Sequence, residues 1–251
     1  MKRCAVMLAS VVLFISTWGI AFAQVPVTEC GQTVEGDAYL AGDLDCTGFE
    51  GEPPSHAAII LLSRHGRLDL RGFTLTGGIY SAVECVKRCT PIHNRCGPYQ
   101  IRPARCDVFD SVGGGVITGA RYGIGADSVR VRDVTVSNHV SDAIATNGRV
   151  MLHNVTLSGD NVGVDTEGLV RVYDSTITGN AEFGIVGGRI FLRDSRVTEN
   201  GLIAGCDPHS WQNRYADLYS PTEPRLNNST CDTSTGAPGA PARDWDICSL
   251  D

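Results

Sequence analysis

The residues best suited to chemistry recur at a regular interval. Arg132, His153, Tyr173 and Arg193 each stand one position before Asp133, Asn154, Asp174 and Asp194, and Arg130 and Arg171 stand two positions earlier on alternate repeats. Guanidinium forks match carboxylates and sulfates, and a phenol ring offers a flat face to a sugar. If the repeats stack, these side chains line one surface at steps of about 4.8 Å, the inter-strand spacing. Such a stripe would suit an acidic polysaccharide. The competing reading is a solvated wall whose arginines pair with nearby acids. A hydrolytic site needs two or three acids at one outward height on adjacent repeats, and the pattern supplies none, so the stripe reads as a binding face.

What positions these residues is the repeat itself. Residues 129–137, 150–158, 170–178 and 190–198 align, and their anchors Asp133, Asn154, Asp174 and Asp194 lie 21, 20 and 20 residues apart. A fixed period of this size marks units that bury their apolar faces only against neighbours. Each unit consists of short β-branched runs with period-2 alternation, broken by Gly, Asn and Asp, which predicts strands and not helices. The expected fold is all-β, a single-stranded right-handed parallel β-helix (solenoid) of about six coils with disulfide-stapled caps. Val129, Val131, Val150, Leu152, Val170, Val172, Ile190 and Leu192 point inward on one wall. Val136, Leu157, Ile177 and Val197 do so on the next, and the change of parity predicts a left-handed bend at each anchor. Gly123-Ile124, Ala143-Ile144, Gly163-Val164 and Gly184-Ile185 mark a third wall where a small residue permits close approach.

In chain order, Lys2 and Arg3 precede an apolar run ending in Ala21-Phe22-Ala23, so residues 1–23 read as a secretory signal. The expected location is secreted, extracellular or periplasmic, with no membrane span in the mature chain. Losing Lys2 and Arg3 takes the formal net charge from −7 to −9, which disfavours nucleic acid as a partner. Residues 24–55 form an expected N-terminal cap with a hairpin-like, disulfide-closed piece. Residues 56–205 form the β-helix, interrupted by an inserted, basic, Cys-bracketed loop at 86–105. Residues 206–251 lose the repeat and form a C-terminal cap. Of 10 cysteines, Cys4 lies in the signal. In an oxidising compartment the others should mostly pair. Spacing suggests Cys30 with Cys46, Cys85 with Cys106, Cys89 with Cys96, and Cys231 with Cys248, leaving Cys206 odd. The Cys85 and Cys89 pair lacks a partner pair at zinc-site spacing, so no metal and no cofactor are expected.

The bend column and the Gly-Ile pairs resemble the pectate-lyase-like right-handed β-helix superfamily. More narrowly, Cys30-Gly-Gln, Gly42-Asp-Leu-Asp-Cys46, Leu68-Asp-Leu-Arg-Gly-Phe-Thr-Leu75 and Trp245-Asp-Ile-Cys248 resemble exported bacterial β-helix repeat proteins without established activity. The resemblance implies a fold more than a chemistry, because this fold hosts lyases, hydrolases, esterases, epimerases and inert adhesins. Gln100-Ile-Arg-Pro-Ala-Arg105 departs from the lyase arginine spacing, and the acid pairs of polygalacturonases are absent. Cys206-Asp-Pro-His-Ser210 is similar to the Asp-Pro-His-Asp run of alginate epimerases, but Ser210 replaces its last acid. On that resemblance Asp207 and His209 would be weak catalytic candidates, His209 as general base. The expectation is a non-catalytic secreted or surface-associated protein that meets acidic polysaccharide or a cell-surface component. The alternative is a polysaccharide lyase or uronate C5-epimerase with a divergent site.

Overall fold

A computed structural model describes residues 24–49, 58–61, 67–81, 108–201, 216–236 and 245–249. The expected signal at 1–23 and inserted loop at 86–105, with Cys85, Cys89, Cys96, Cys106, Cys206, Asp207 and His209, lie outside them. The described chain is all-β, with parallel strands in stacked sheets, an architecture consistent with a β-helix or solenoid.

Three walls repeat in each coil. Along wall one, Ser128–Arg132 pairs with Val150–His153, which pairs with the second half of Val162–Tyr173, which pairs with that of Phe183–Arg193. Wall two stacks Ile124–Ala126, Asp142–Thr146 and the first halves of those two long strands. Wall three is a separate sheet that includes Thr135–Ser137, Thr156–Ser158, Thr176–Thr178 and Arg196–Thr198. The two long strands cross the corner between walls two and one unbroken, which joins those walls into one 16-stranded sheet beside an 8-stranded one.

The burial follows the period-2 pattern. Val131, Val150, Leu152, Val170, Val172, Val136, Leu157, Ile177 and Val197 are fully buried, as are Ile124, Ile144, Val164 and Ile185. Each such side chain contributes about 1.5–3 kcal/mol relative to exposure. Leu68, Leu70 and Leu75 are buried in the same way, with Phe73 partly buried against them.

The bend between walls one and three lies at the anchors. Asp133, Asn154, Asp174 and Asp194 have φ of 56°, 53°, 49° and 51°, the left-handed region that Asp and Asn tolerate best among side-chain-bearing residues. Three carboxylates in one column would repel. Asn154 instead donates from Nδ2 to Asp133 Oδ1 (2.7 Å), and Asn228 does the same for Asp194 (2.7 Å). Just beyond, Ser175 and Ser195 accept the backbone N–H of Val155 and Ser175 on their hydroxyl oxygens.

The opposite corner, between walls three and two, buries polar groups. Here Asn138, Gly159, Gly179 and Glu199 take positive φ, and the residues after them, His139, Asp160, Asn180 and Asn200, turn inward at 1–4 % exposure. They form a ladder. Asp160 Oδ1 accepts the His139 N–H (2.8 Å) and lies 2.7 Å from its Nδ1. Asn180 Oδ1 accepts the Asp160 N–H, and Asn200 Oδ1 accepts both the Asn180 N–H and its Nδ2. Asp217 ends the series, taking Asn200 N–H and Nδ2 on one oxygen and the Asp232 and Thr233 amides on the other. Burial pushes the Asp217 carboxyl above its usual range against these hydrogen bonds. The ladder also explains the small residues of wall two. A Cβ on Gly184 would sit 2.7 Å from the Asp217 carbonyl oxygen and 2.8 Å from Asn200 Nδ2.

The repeat reaches further than its sequence signature. The terminal stretches supply coil strands of their own, so wall three holds eight levels where the period suggests about six coils. The hairpin expected within residues 24–55 is not found among the described residues. Val25–Val27 pairs in parallel with Ala38–Leu40, and Gln32–Val34 pairs in parallel with Ile59–Leu61, because each strand continues a wall instead of folding back. Thr74–Thr76 pairs directly with Val116–Thr118, so the chain between them climbs a single level. At the other end Ala216–Tyr219 and Arg225–Asn227 stack on Phe183–Arg193.

Cys30 is bonded to Cys46 and Cys231 to Cys248. Closing loops of this length contributes on the order of 3 kcal/mol each in the chain-entropy view. The pairs suit an oxidising compartment, and no described helix is long and apolar enough to cross a membrane.

Replacing Asn200 by Ala strips partners from Asn180, Asp217 and the carbonyls of Ile177 and Thr198. Urea unfolding should show a loss of about 3 kcal/mol. Val140→Ala, at a position 82 % exposed, should stay within about 0.5 kcal/mol of the parent.

Candidate functional site

The outward residues of wall one lie between buried ones, so the strand pleat alone fixes their direction. Arg130 and Arg132 flank Val131, Met151 and His153 flank Leu152, and Arg171 and Tyr173 flank Val172. Register then brings them into two columns. In one, Arg132 stands beside His153, His153 beside Tyr173, and Tyr173 beside Arg193. In the other, Arg130 stands beside Met151 and Met151 beside Arg171. All six residues expected on the stripe therefore share one face.

The face encloses a shallow groove of about 480 Å³ lined by Arg130, Arg132, Met151, His153, Tyr173, Asp174 and Arg193. Arg171 is beside the groove and not among its lining residues. Of the anchor acids, Asp174 lines it. His153 Nε2 lies 3.4 Å from Asp174 Oδ2, with both side chains more than half exposed. Arg193 Nε donates to Asp194 Oδ2 at 3.1 Å. Hydrogen bonds from Asn228 and then Arg193 hold the exposed Asp194 carboxyl below the usual carboxylate range. The column next to the anchors is thus partly neutralised by them, while Arg171 has no hydrogen bond or ion pair among the described residues.

Chemically this face can accept anions through guanidinium donors and lay a ring against Tyr173 or Met151. Its acids are already engaged by His153, Arg193 and Asn228. Among the described residues no group of three or more His, Cys, Asp or Glu is placed to hold a metal ion.

Wall two carries acids that the sequence pattern does not bring out. Burial pushes the Asp142 carboxyl up to about 6, helped by the charges of Asp165, Glu182 and Asp160 and opposed by a hydrogen bond from Ser141. Burial, then Glu167, raises Asp165 as well. These acids belong to neighbouring coils but stand at different heights along the wall, so they are not the set at one outward height that a hydrolytic site would need. They escape a register search because they are offset along the wall. Asp142 is paired with Val162, whereas Asp165 is paired with Ala145.

Compared with known proteins, the chain matches no family model, no curated protein and no solved structure.

The raised Asp142 sets a sign for pH dependence. Its folded value of about 6 lies above the ordinary 3.8, so protonated Asp142 favours the fold below that ordinary value, and the benefit is lost as pH rises through 6. Asp142→Asn should therefore raise Tm relative to the parent at pH 7 to 8 and leave the difference near zero at about pH 4. Melting curves across that range check it; a difference that shrinks with rising pH would contradict the environment described for Asp142.

Proposed function

We propose that this is a secreted, non-catalytic, right-handed β-helix protein that binds acidic polysaccharide through the outward face of wall one. The observation that carries the reading is the pair of outward columns, in which Arg130, Arg132, Arg171 and Arg193 surround Met151, His153 and Tyr173. Guanidinium pairs and an aromatic ring on a rigid sheet are suited to carboxylated or sulfated sugars. Strong right-handed preference in parallel crossovers supports the handedness. The signal at 1–23 and the two disulfides agree with export, extracellular or periplasmic. In this reading the terminal stretches, pinned by Cys30–Cys46 and Cys231–Cys248, also close the ends of the stack, and residues 86–105 are a loop thrown out from the wall. The resemblance to exported β-helix repeat proteins supports the fold and leaves the ligand to the site.

A second reading, a polysaccharide lyase or C5-epimerase, draws support from Asp142. A carboxyl titrating near 6 beside Asp165 and Glu182 is suited to move a sugar proton at neutral pH. Unsaturated-uronate absorbance or a changed uronate composition after incubation would establish it.

The binding reading is tested with a panel of anionic and neutral polysaccharides in a co-sedimentation assay. Arg132→Ala/Arg171→Ala should weaken binding to anionic chains by about tenfold or more and leave neutral ones unaffected, at roughly 1 kcal/mol or more per lost charge-assisted contact. Unchanged binding to the anionic chains would remove wall one as the site.

A further inference from the structure

The N-terminal end of wall one holds a contact made by the first described residue. Arg71 Nη2 donates to Gln24 Oε1 at 3.2 Å, although the two stand 47 positions apart in the chain. The guanidinium lies 3.4 Å from the centre of the Tyr39 ring, so the cation is stacked as it donates. Tyr39 is itself aimed by the pleat. It stands between buried Ala38 and Leu40, paired with Pro26 on one side and Asp69 on the other. The Val25 N–H donates to the Asp37 carbonyl at 2.8 Å, which fixes the chain directly after Gln24. Gln24 Nε2 has no hydrogen bond among the described residues.

Arg71 occupies its position against the backbone preference of that corner. At the other bends between walls one and three, Asp133, Asn154, Asp174, Asp194 and Asn228 take the positive φ. Arg71, at φ of 52°, is the one side-chain-bearing residue among these described bends that is neither Asp nor Asn. A long side chain is uncommon in that region of backbone space. Asp69 Oδ1 holds it there by accepting the Arg71 N–H at 3.0 Å. A guanidinium thus stands where the turn itself favours a short side chain, and it is directed at Gln24.

Resting on the export reading above, in which removal of residues 1–23 leaves Gln24 first, we infer that Gln24 is a modification site that closes to pyroglutamate in the folded chain. The freed α-amine, in its unprotonated form, attacks the side-chain carbonyl carbon of the same residue. An N–C bond forms, the C–Nε2 bond breaks, and Nε2 leaves as ammonia with the proton that the amine gives up. No oxidant, reductant or second substrate is needed. Negative charge develops on Oε1 during the attack, and there the Arg71 guanidinium already donates. The Tyr39 ring steadies the donor and the Val25 amide steadies the backbone beside the acceptor, so the fold assists its own closure. The product is a neutral lactam whose carbonyl oxygen keeps the Arg71 contact. It removes one positive charge from the end of the stack and leaves no free amine for an aminopeptidase.

The test begins with the full chain, expressed with residues 1–23 in an exporting bacterial host and weighed by intact-mass spectrometry. The expected species starts at Gln24 and is lighter than its sequence by one ammonia. The rate is then followed on chain released from a fusion with Gln24 first, its fold checked by circular dichroism. Closure should be about tenfold or more faster in the folded chain than in the same chain unfolded in urea, where the Oε1 donor is lost. It should slow as pH falls below about 8 and the amine protonates. Arg71→Met should bring the folded rate down to the unfolded one, and Arg71→Lys should recover part of it. A chain that starts elsewhere overturns the export reading at that site and the inference with it. A chain that starts at Gln24 with its side-chain amide intact leaves the export reading standing and overturns the inference. Equal folded and unfolded rates, or an Arg71→Met rate matching the parent, overturn closure assisted by the fold.

Discussion

Everything on the outer surface depends on the ladder buried at the corner between walls three and two. Parallel stacking leaves backbone amides and carbonyls at each corner with no strand to pair with, and a buried unpaired group costs about 1–3 kcal/mol. Asp160, Asn180, Asn200 and Asp217 answer that demand from one coil to the next. Their side chains reach one coil and no further, so they tie each level to its neighbour at a single register. A slip by one residue would break these bonds and turn the buried valines outward.

A fixed register is what turns scattered arginines into columns. Residues far apart in the chain, such as Arg67 and Arg225, come to lie on one line because every coil between them is locked to the next. The same locking separates the outward residues of wall one into two columns. The left-handed backbone at the bend selects Asp and Asn, and those acids then neutralise the column beside them. A structural requirement at the corner thus sets the charges that border the face of wall one.

Much of this was legible in the residues. The alternation around Val131, Leu152 and Val172 gives away the buried face, because burial imposes the period. Asp133, Asn154, Asp174 and Asp194 mark the bend, because few other residues accept its backbone. The terminal coils were not countable, since Ala38–Leu40 and Leu44–Asp45 are strands of three and two residues without the anchor residue that makes a period visible. The ladder had a signal that went unread: Asp160, Asn180 and Asn200 follow Gly159, Gly179 and Glu199 at the interval of the repeat. Asp142 and Asp165 had none, because their proximity depends on how the coils of wall two lie over one another and not on shared register. Asp207 and His209 fall outside the described residues, so geometry adds nothing to the sequence motif there.

The most direct measurement is an NMR titration that follows the arginine Nε–Hε signals while an anionic octasaccharide is added. A site on wall one predicts that Arg132, Arg171 and Arg193 shift together with one affinity, while Arg196, on wall three, stays still. Signals that remain fixed, or that shift alike at every arginine, would contradict a register-built site on wall one.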